Sequence, residues 1–338
     1  MKIEQNISLK KYNTFGIDVN ARYFVEISTI KELQELVLLD IFRNNSHLIL
    51  GGGSNILFTR TFNGLVIKPE FKGIEVIRET ENEMFIKAYS GESWHDFVMY
   101  CCEKKWNGLE NLAYIPGSVG ASPIQNIGAY GVEIKDVLDS LEAFNLETKQ
   151  IESFSNTDCK FDYRESVFKH EYKERYVICS VTFRLSKQSK FNTNYTAVND
   201  ELKRKNISEL SAKAIADAIT IIRKSKLPET SEIGSAGSFF KNPTVSQDFF
   251  QSLKKEFPDI VAYQTNSGIK LAAGWLIEQA GWKGFREGDV ASIYDLQALV
   301  LVNYGDATGL DIFNLALRII DSVKSKFGVK LTPEVNIL

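Results

Sequence analysis

Two stretches carry residue types that could hold an anion against bare backbone. "LILGGGSN" sets Gly51, Gly52 and Gly53 ahead of Ser54 and Asn55, and "IPGSVGASPIQNIGAYG" places four of the chain's 22 glycines and two of its seven prolines between Ile115 and Gly131. Glycine reaches positive φ without steric cost and lets another group approach the backbone, and successive N–H groups in such turns converge on negative charge. The first stretch lacks the marks of the two familiar phosphate loops. A G-x-G-x-x-G turn would need a glycine where Ile56 stands and a helix where "ILF" continues as a strand, and a nucleotide-hydrolase loop would need a lysine. What remains is strand, tight turn, strand; alone, it reads equally well as a glycine-rich hairpin with no ligand.

The second stretch adds Ser118, Ser122, Gln125 and Asn126, which can hydrogen-bond, and Ile115, Val119 and Ile127, which can wall a flat ring. Two glycine-rich loops with opposing apolar and amide groups suit a ligand having both a pyrophosphate and an aromatic system, and FAD is the natural candidate. Three further residues sit in suggestive surroundings. Arg164 in "DYRESVFK" lies between Tyr163 and Phe168, Ser238 in "GSAGSFFKNP" follows Gly234 and Gly237, and Glu334 belongs to the terminal "LTPEVNIL". Each has a bland reading: an arginine paired with Glu165 or Asp162, a structural serine, a frayed tail carboxylate. Against fraying, Leu331, Val335 and Ile337 share one strand face and would anchor the tail, leaving Glu334 on the polar face.

The elements that must position these residues are legible in outline. "ARYFVEI" reads as a strand, and "STIKELQELVLLDIFR" as a helix capped by Ser28 or Thr29 with Leu33, Leu36, Val37 and Ile41 on one face. From about Phe71 to Leu185 short strands dominate ("GIEVIRE", "MFIKAYSG", "LDSLEAFNLET", "RYVICSVTFRL"), interrupted by a helix around "SWHDFVMYCCEKKW". A helix follows with Leu210, Ala214, Ile215, Ala218, Ile219 and Ile222 at helical spacing, stopping before Pro228. "GIKLAAGWLIEQAG", "QALVLVN" and "DIFNLALRIIDSVKSKFG" read as helix, strand, helix, with left-handed caps at Gly281 and Gly328.

Composition narrows the class. The 338 residues exceed one ordinary core. With 44% hydrophobic and 25% charged residues and a net charge of -3, nothing asks for nucleic acid or a membrane surface. No signal-peptide core opens the chain and no run of about 18 apolar residues appears, so a cytoplasmic protein is expected. Cys101, Cys102, Cys159 and Cys179 form no C-x-x-C pair and read as buried free thiols, and His47, His95 and His170 are too scattered for an imidazole metal site.

Taken together and in order, "YNTFGI", "LGGGSN", "IPGSVGASPIQNIGAYG", "YRESVFK", "KLP", "GSAGSFFKNP", "AAGWLIEQAGWKG", "QALVLVN" and "PEVNIL" resemble the UDP-N-acetylenolpyruvoylglucosamine reductase (MurB) family of peptidoglycan synthesis, nearly end to end. "KFNTNYTAVNDEL" makes the chain look like the longer, type I branch. The resemblance implies an α+β fold: a two-subdomain FAD-binding module of the PCMH/vanillyl-alcohol-oxidase type plus a C-terminal α/β substrate-binding domain. On that reading residues 1–70, completed by a strand in 329–338, form the first FAD subdomain, 71–206 the second, and 207–328 the substrate domain.

The activity implied is NADPH-dependent, FAD-mediated reduction of an enolpyruvyl UDP-sugar to its lactyl ether by a cytoplasmic monomer serving cell shape and division. The family's pattern gives Arg164, Ser238 and Glu334 the catalytic roles, with Ser238 as proton donor and Lys241 or water assisting it. Gly51, Gly52, Gly53, Ser54, Asn55, Ile115, Pro116, Gly117, Ser118, Gly120, Ala121, Gln125, Asn126, Gly128 and Tyr130 fall at cofactor positions. Tyr195, Arg223, Lys226, Asn242 and Gln297 fall at substrate positions; no metal is implied.

Relatives often carry a histidine where Tyr294 stands, and a more glycine-rich run where this chain has "REGDVAS", so local substrate contacts there depart from the pattern. Two other readings compete: an FAD oxidase of the same cofactor fold, for which His95 would be the local flavin tether, and a non-catalytic sugar-nucleotide binder, which would need no proton donor.

Overall fold

"RYVICSVTFRL" forms the strand Tyr176–Ser186, the middle of a five-stranded antiparallel sheet ordered Ile151–Ser155, Leu138–Asn145, Tyr176–Ser186, Glu83–Tyr89, Ile74–Glu79. All but one of its first ten residues are buried, which accounts for the near-continuous apolar run. Alternation alone would send every second residue to one face, but the register against Leu138–Asn145 runs Glu142↔Ser180 and then Ala143↔Ile178, skipping Cys179. That bulge switches the parity. Tyr176 and Ile178, then Val181, Phe183 and Leu185, all enter one core, while Val177 and Cys179 enter another.

The computed structural model describes residues 1–265, 267–287 and 290–338. Two units emerge: Met1–Ile7, Ala21–Gly52 and Asn63–Arg223 form the first, and Ser8–Asn20, Gly53–Phe62 and Lys224–Leu338 the second. The first holds the five-stranded sheet and a four-stranded one ordered Ile3–Ser8, Asn20–Ile27, Phe62–Pro69, His47–Ile49. One core gathers Val25, Ile27, Leu33, Leu36, Leu65 and Ile67 with Phe144, Val177 and Cys179. The other packs the helices Trp94–Glu103 and Ala212–Lys224 with Ile86, Leu141, Val181 and Phe183.

Thr29 is the helix cap, accepting from Glu32 N while the Glu32 carboxylate accepts from Thr29 N. The single helix expected beyond it is two, Ile30–Leu36 and Asp40–Arg43. The apolar stripe ends at Val37, Leu38 and Leu39 are exposed, and Asp40 suits a new first turn better than a helix interior. The helix Ala212–Lys224 buries Ala212, Ile215, Ala216, Ala218, Ile219 and Ile222 within the first unit. Leu210, expected on that face, precedes the helix and is exposed.

In the second unit a four-stranded sheet runs Gly234–Ser238, Val300–Asn303, Ala291–Ile293, Arg286–Glu287. The first four residues of "GIKLAAGWLIEQAG" are not helical. Gly268–Leu271 is the middle strand between Thr244–Val245 and Ala262–Thr265, and the helix begins at Ala273. Its alternating Ile269 and Leu271 are buried, the period of a strand. The helix Gly309–Phe327 starts at a Thr308–Asp311 capping box and ends at Gly328, whose φ of 67 is left-handed, as is the φ of 84 at Gly281. The tail beyond it is anchored by the fully buried Leu331 and by Val335, and Asn336–Ile337 pairs in parallel with Ile56–Leu57.

Among the described residues no helix is long and apolar enough to cross a membrane, and no group of three His, Cys, Asp or Glu could hold a metal ion. The four cysteines are free and buried, and burial pushes the Cys102, Cys159 and Cys179 thiols up to about 12, so they stay protonated and unreactive. Within the "REGDVAS" departure, Gly288 and Asp289 lie outside the described residues. Leu331→Ala removes the tail's deepest anchor and is expected to destabilise the second unit by about 2–5 kcal/mol, read as a lowered urea midpoint; an unchanged midpoint would mean the tail is not anchored there.

Candidate active site

The glycine-rich stretches meet each other inside the first unit. A Cβ on Gly52 would lie 2.7 Å from Gly117 Cα, one on Gly51 would lie 2.9 Å from Ser118 Oγ, and one on Gly120 would run into the Ser90 side chain. These glycines therefore let two loops interlock, whereas the sequence had suggested only close approach to a ligand. Backbone bonds fix the interlock: Trp94 N to Gly117 O at 3.0 Å, Val119 N to Glu92 O at 2.9 Å and Gly120 N to Ser90 O at 3.0 Å. Val119 is fully buried beneath it, and Ala121 packs 3.2 Å from where a Gly51 Cβ would be. Among the described residues the N–H groups of Gly51 and Gly52 donate to no protein acceptor, and the buried Ser90 Oγ has no partner. Unpaired donors beside a cradle closed to any Cβ fit a pyrophosphate.

The rest of the stretch turns back on itself. Asn126 and Tyr130 adopt left-handed φ values of 46 and 48. Asn126 is fully buried, with Nδ2 donating to Asp162 O at 3.0 Å and Oδ1 accepting from Lys135 N at 3.1 Å. Its amide therefore braces the protein on both sides. Ser166 Oγ donates to Ile124 O at 2.6 Å, clamping the "DYRES" turn to the same loop.

That turn closes through reciprocal Asp162–Glu165 backbone bonds of 3.1 Å and holds Arg164 at φ 57, a strained conformation for a residue with a Cβ. The Arg164 guanidinium donates to Gly128 O at 2.6 Å and Asn126 O at 3.3 Å, and lies 3.7 Å from a Glu133 carboxylate oxygen. Glu133 is thus a counter-ion for it, from outside its own turn, and Glu165 also engages His170 and Lys169. A Cβ on Gly128 would lie 2.9 Å from that guanidinium, so the missing side chain makes its seat.

Arg223 sits half-buried against the same loop, with Nε donating to Tyr114 O at 2.9 Å. Burial lowers its pKa while Tyr130 holds it up, and burial raises the Tyr130 phenol against the pull of Arg223. Tyr195 is 51% exposed and meets Tyr130 edge-to-face, ring centroids 5.7 Å apart. His95 Nδ1 accepts from Tyr114 N at 3.0 Å, which occupies one of the two nitrogens a flavin tether could use. Ile115 packs on the first unit's core; Pro116 is exposed and Gln125 half-buried.

In the second unit, Ser238 is exposed at the end of Gly234–Ser238, just after Gly237, whose φ of 67 only glycine adopts readily. The chain then runs between two neighbours. Phe239 N bonds Leu299 O at 2.8 Å, while Glu334 N bonds Phe239 O at 2.8 Å and Lys241 N bonds Thr332 O at 2.9 Å. The tail thus pairs Glu334 with Phe239, the residue that follows Ser238. Asn55 joins this assembly, its Nδ2 donating to Glu334 O at 3.4 Å and its carbonyl accepting from Asn336 N at 3.1 Å. Gly53, at φ 64, bonds Thr14 N, and a Cβ there would strike Tyr12 O; Ser54 follows, half-buried.

Asn242 Oδ1 caps Ala273 N at 2.9 Å, and Gln297 Oε1 lies 3.4 Å from where a Gly274 Cβ would stand, so both border the start of one helix. Lys226 is exposed in this unit, whereas Arg223 closes the other. Tyr294 is half-buried and its backbone bonds Val300 O.

Sequence reasoning missed Glu133, Asn111 and Asn13. Buried Asn13 ties the "YNTFGI" turn through Leu9 O, Ile17 O and Ile17 N. That turn in turn accepts Ser235 N at Thr14 O and Asn303 Nδ2 at Phe15 O, bracing the strand that carries Ser238. A buried asparagine inside a glycine-containing turn was the available signal; Glu133 and Asn111 had none at short range.

Residues 228–338 match the model for the UDP-N-acetylenolpyruvoylglucosamine reductase C-terminal domain, and residues 21–152 match an FAD binding domain. The chain is 45% identical to the UDP-N-acetylenolpyruvoylglucosamine reductase of Flavobacterium johnsoniae, with 100% of both chains covered, and 46% identical to that of Amoebophilus asiaticus, again covering 100% of each. A solved structure of UDP-N-acetylenolpyruvylglucosamine reductase (MurB) from Thermus caldophilus shares the fold, with a TM-score of 0.69 at 23% identity over 100% of this chain and 99% of that one. An FAD-binding module followed by this C-terminal domain, at that identity over the full length, places the chain in the UDP-N-acetylenolpyruvoylglucosamine reductase family.

Proposed function

We propose that this chain reduces an enolpyruvyl UDP-sugar in peptidoglycan precursor synthesis with Arg164, Ser238 and Glu334 as its working residues. The family's activity is FAD-dependent, with NADPH as reductant. FAD, when bound, would supply the redox chemistry of hydride transfer between NADPH and the vinyl carbon of the substrate, and Gly51, Gly52, Gly117, Ser118 and Gly120 would hold it. The protein must then hold the substrate, stabilise the charge left on the enol carbon and carboxylate, and deliver one proton.

Ser238 Oγ is assigned the proton, given to the carbon next to the carboxylate. A serine hydroxyl is a weak acid and needs a neighbour to stabilise or reprotonate it. The single observation that carries the reading is the Glu334 N–Phe239 O bond of 2.8 Å, which pairs a carboxylate residue with the residue next to an exposed serine, just before the buried Phe239 and Phe240. Glu334 orients the substrate or the acid. Lys241, two residues beyond Phe239 on the same run, is the nearest cation in sequence to help the hydroxyl.

Arg164 is assigned the developing negative charge. Its support is the preorganised seat: a left-handed turn, two loop carbonyls and Glu133 fix the guanidinium before substrate arrives, so little reorganisation is left for the reaction. Gly51, Gly52, Gly117, Ser118 and Gly120 are assigned the cofactor, through backbone N–H groups and close approach. Tyr195, Arg223, Lys226, Asn242 and Gln297 are assigned the sugar nucleotide. A cytoplasmic location suits a diphosphate substrate and reductant, both too polar to cross a membrane unaided.

Anaerobic spectra test the assignment in two halves. With Ser238→Ala, NADPH should still bleach the flavin, whereas reoxidation by the enolpyruvyl UDP-sugar should slow about 10²- to 10⁴-fold; reoxidation at the wild-type rate removes Ser238 from the mechanism. Gly128→Ala has no φ penalty but pushes on the Arg164 guanidinium, on its counter-ion Glu133 and on the Val132 carbonyl. It should lower kcat about 10- to 100-fold with flavin reduction by NADPH retained, and equal turnover would mean Arg164's seat is immaterial.

A further inference from the structure

Asn111 is 1% exposed, in a short turn behind the 126–131 loop, and the mechanism above makes no use of it. Its Nδ2 donates to Tyr130 O and to Asn192 O, both at 2.9 Å. Two carbonyl acceptors on one nitrogen fix the amide's orientation, because the reverse placement would face three oxygens together. The consequence is a buried Oδ1 with no protein partner. A polar residue is thus kept in an apolar setting at a cost, and what it achieves is a tie between two segments distant in sequence.

Both tied carbonyls matter to the proposed site. Tyr130 holds a left-handed φ of 48, and Asn192 begins the segment leading to Tyr195, the residue just before the helix Thr196–Arg204. Asn192 reinforces the tie: its Nδ2 donates to Gly131 O at 3.2 Å and its Oδ1 accepts from Asn194 N at 3.2 Å. Asn199 Nδ2 bonds Thr193 O at 2.7 Å from the helix side. Gly131 leaves room for this contact, since a Cβ there would lie 2.9 Å from Asn192 Nδ2 and 3.4 Å from the Tyr195 ring.

We propose that Asn111 is a positioning residue that latches the 192–195 segment to the cofactor loop, and so sets the Tyr195 ring on Tyr130 for the sugar nucleotide. This rests on the reading of Tyr195 as a substrate contact. The latch acts on binding of the sugar nucleotide and leaves hydride uptake from NADPH untouched.

Asn111→Ala should raise KM for the enolpyruvyl UDP-sugar about 10-fold, with FAD content and flavin reduction by NADPH unchanged, and should speed chymotrypsin cleavage after Tyr195. Asn192→Ala, at a half-buried position, should move both readouts the same way and serves if Asn111→Ala folds poorly. In a Tyr195→Ala background Asn111→Ala should change KM less than about twofold, because the ring it positions is gone. If Tyr195→Ala raises KM and the two effects multiply, the latch is wrong while the reading of Tyr195 stands. If Tyr195→Ala leaves KM unchanged, that reading falls and the latch with it.

Discussion

The close approach of Gly51 and Gly52 to the run Gly117, Ser118 and Ala121, with Gly120 in turn against Ser90, is the constraint from which the first unit's loop arrangement follows. Backbone packed that tightly leaves no room for a side chain at Gly52, and neither partner is the yielding end of a flexible group. The long loop leaves this interlock with its course already set. Buried Val119 anchors it, Asn126 ties it to Asp162, and its carbonyls at Asn126 and Gly128 face the guanidinium they must hold. Arg164's left-handed strain is sustained because the surrounding bonds over-determine it. One feature of packing thus sets the course of the loop and, through its carbonyls, the seat of the Arg164 guanidinium.

The second unit solves a different problem, that of exposing a serine without leaving its strand loose. Gly234–Ser238 is braced from one side by the "YNTFGI" turn and continued on the other by the C-terminal tail. Leu331 and Val335 hold the tail by burial, and the backbone ladder then brings Glu334 level with Phe239. A terminal segment becomes part of a rigid site because its apolar face is buried and its polar face is not.

Much of this was legible in the sequence. The two glycine-rich stretches, the Thr29 cap, the strand "RYVICSVTFRL" and the left-handed Gly281 and Gly328 follow from local chemistry, and the order of motifs carried the family. What escaped was non-local. Nothing near Arg164 in sequence names Glu133 as a counter-ion, and nothing near Asn111 names Tyr130 and Asn192. The skipped residue at Cys179 is set by pairing with Leu138–Asn145, and "GIKL" became a strand because neighbours on both sides pair with it. The glycines were recognised, but what they admit most closely proved to be other parts of the chain, such as Gly117 against Gly52 and Ser90 against Gly120.

The most direct test of this account is the FAD content of Gly52→Ala. The backbone there has no positive φ that forbids alanine, so the substitution acts through the collision with the Gly117–Ser118 backbone. The account predicts a folded protein, by circular dichroism and thermal melt, whose flavin absorbance relative to that at 280 nm falls about 10-fold or more from wild type after identical purification. Full flavin occupancy in a folded Gly52→Ala protein would contradict the claim that the interlocked loops make the cofactor cradle.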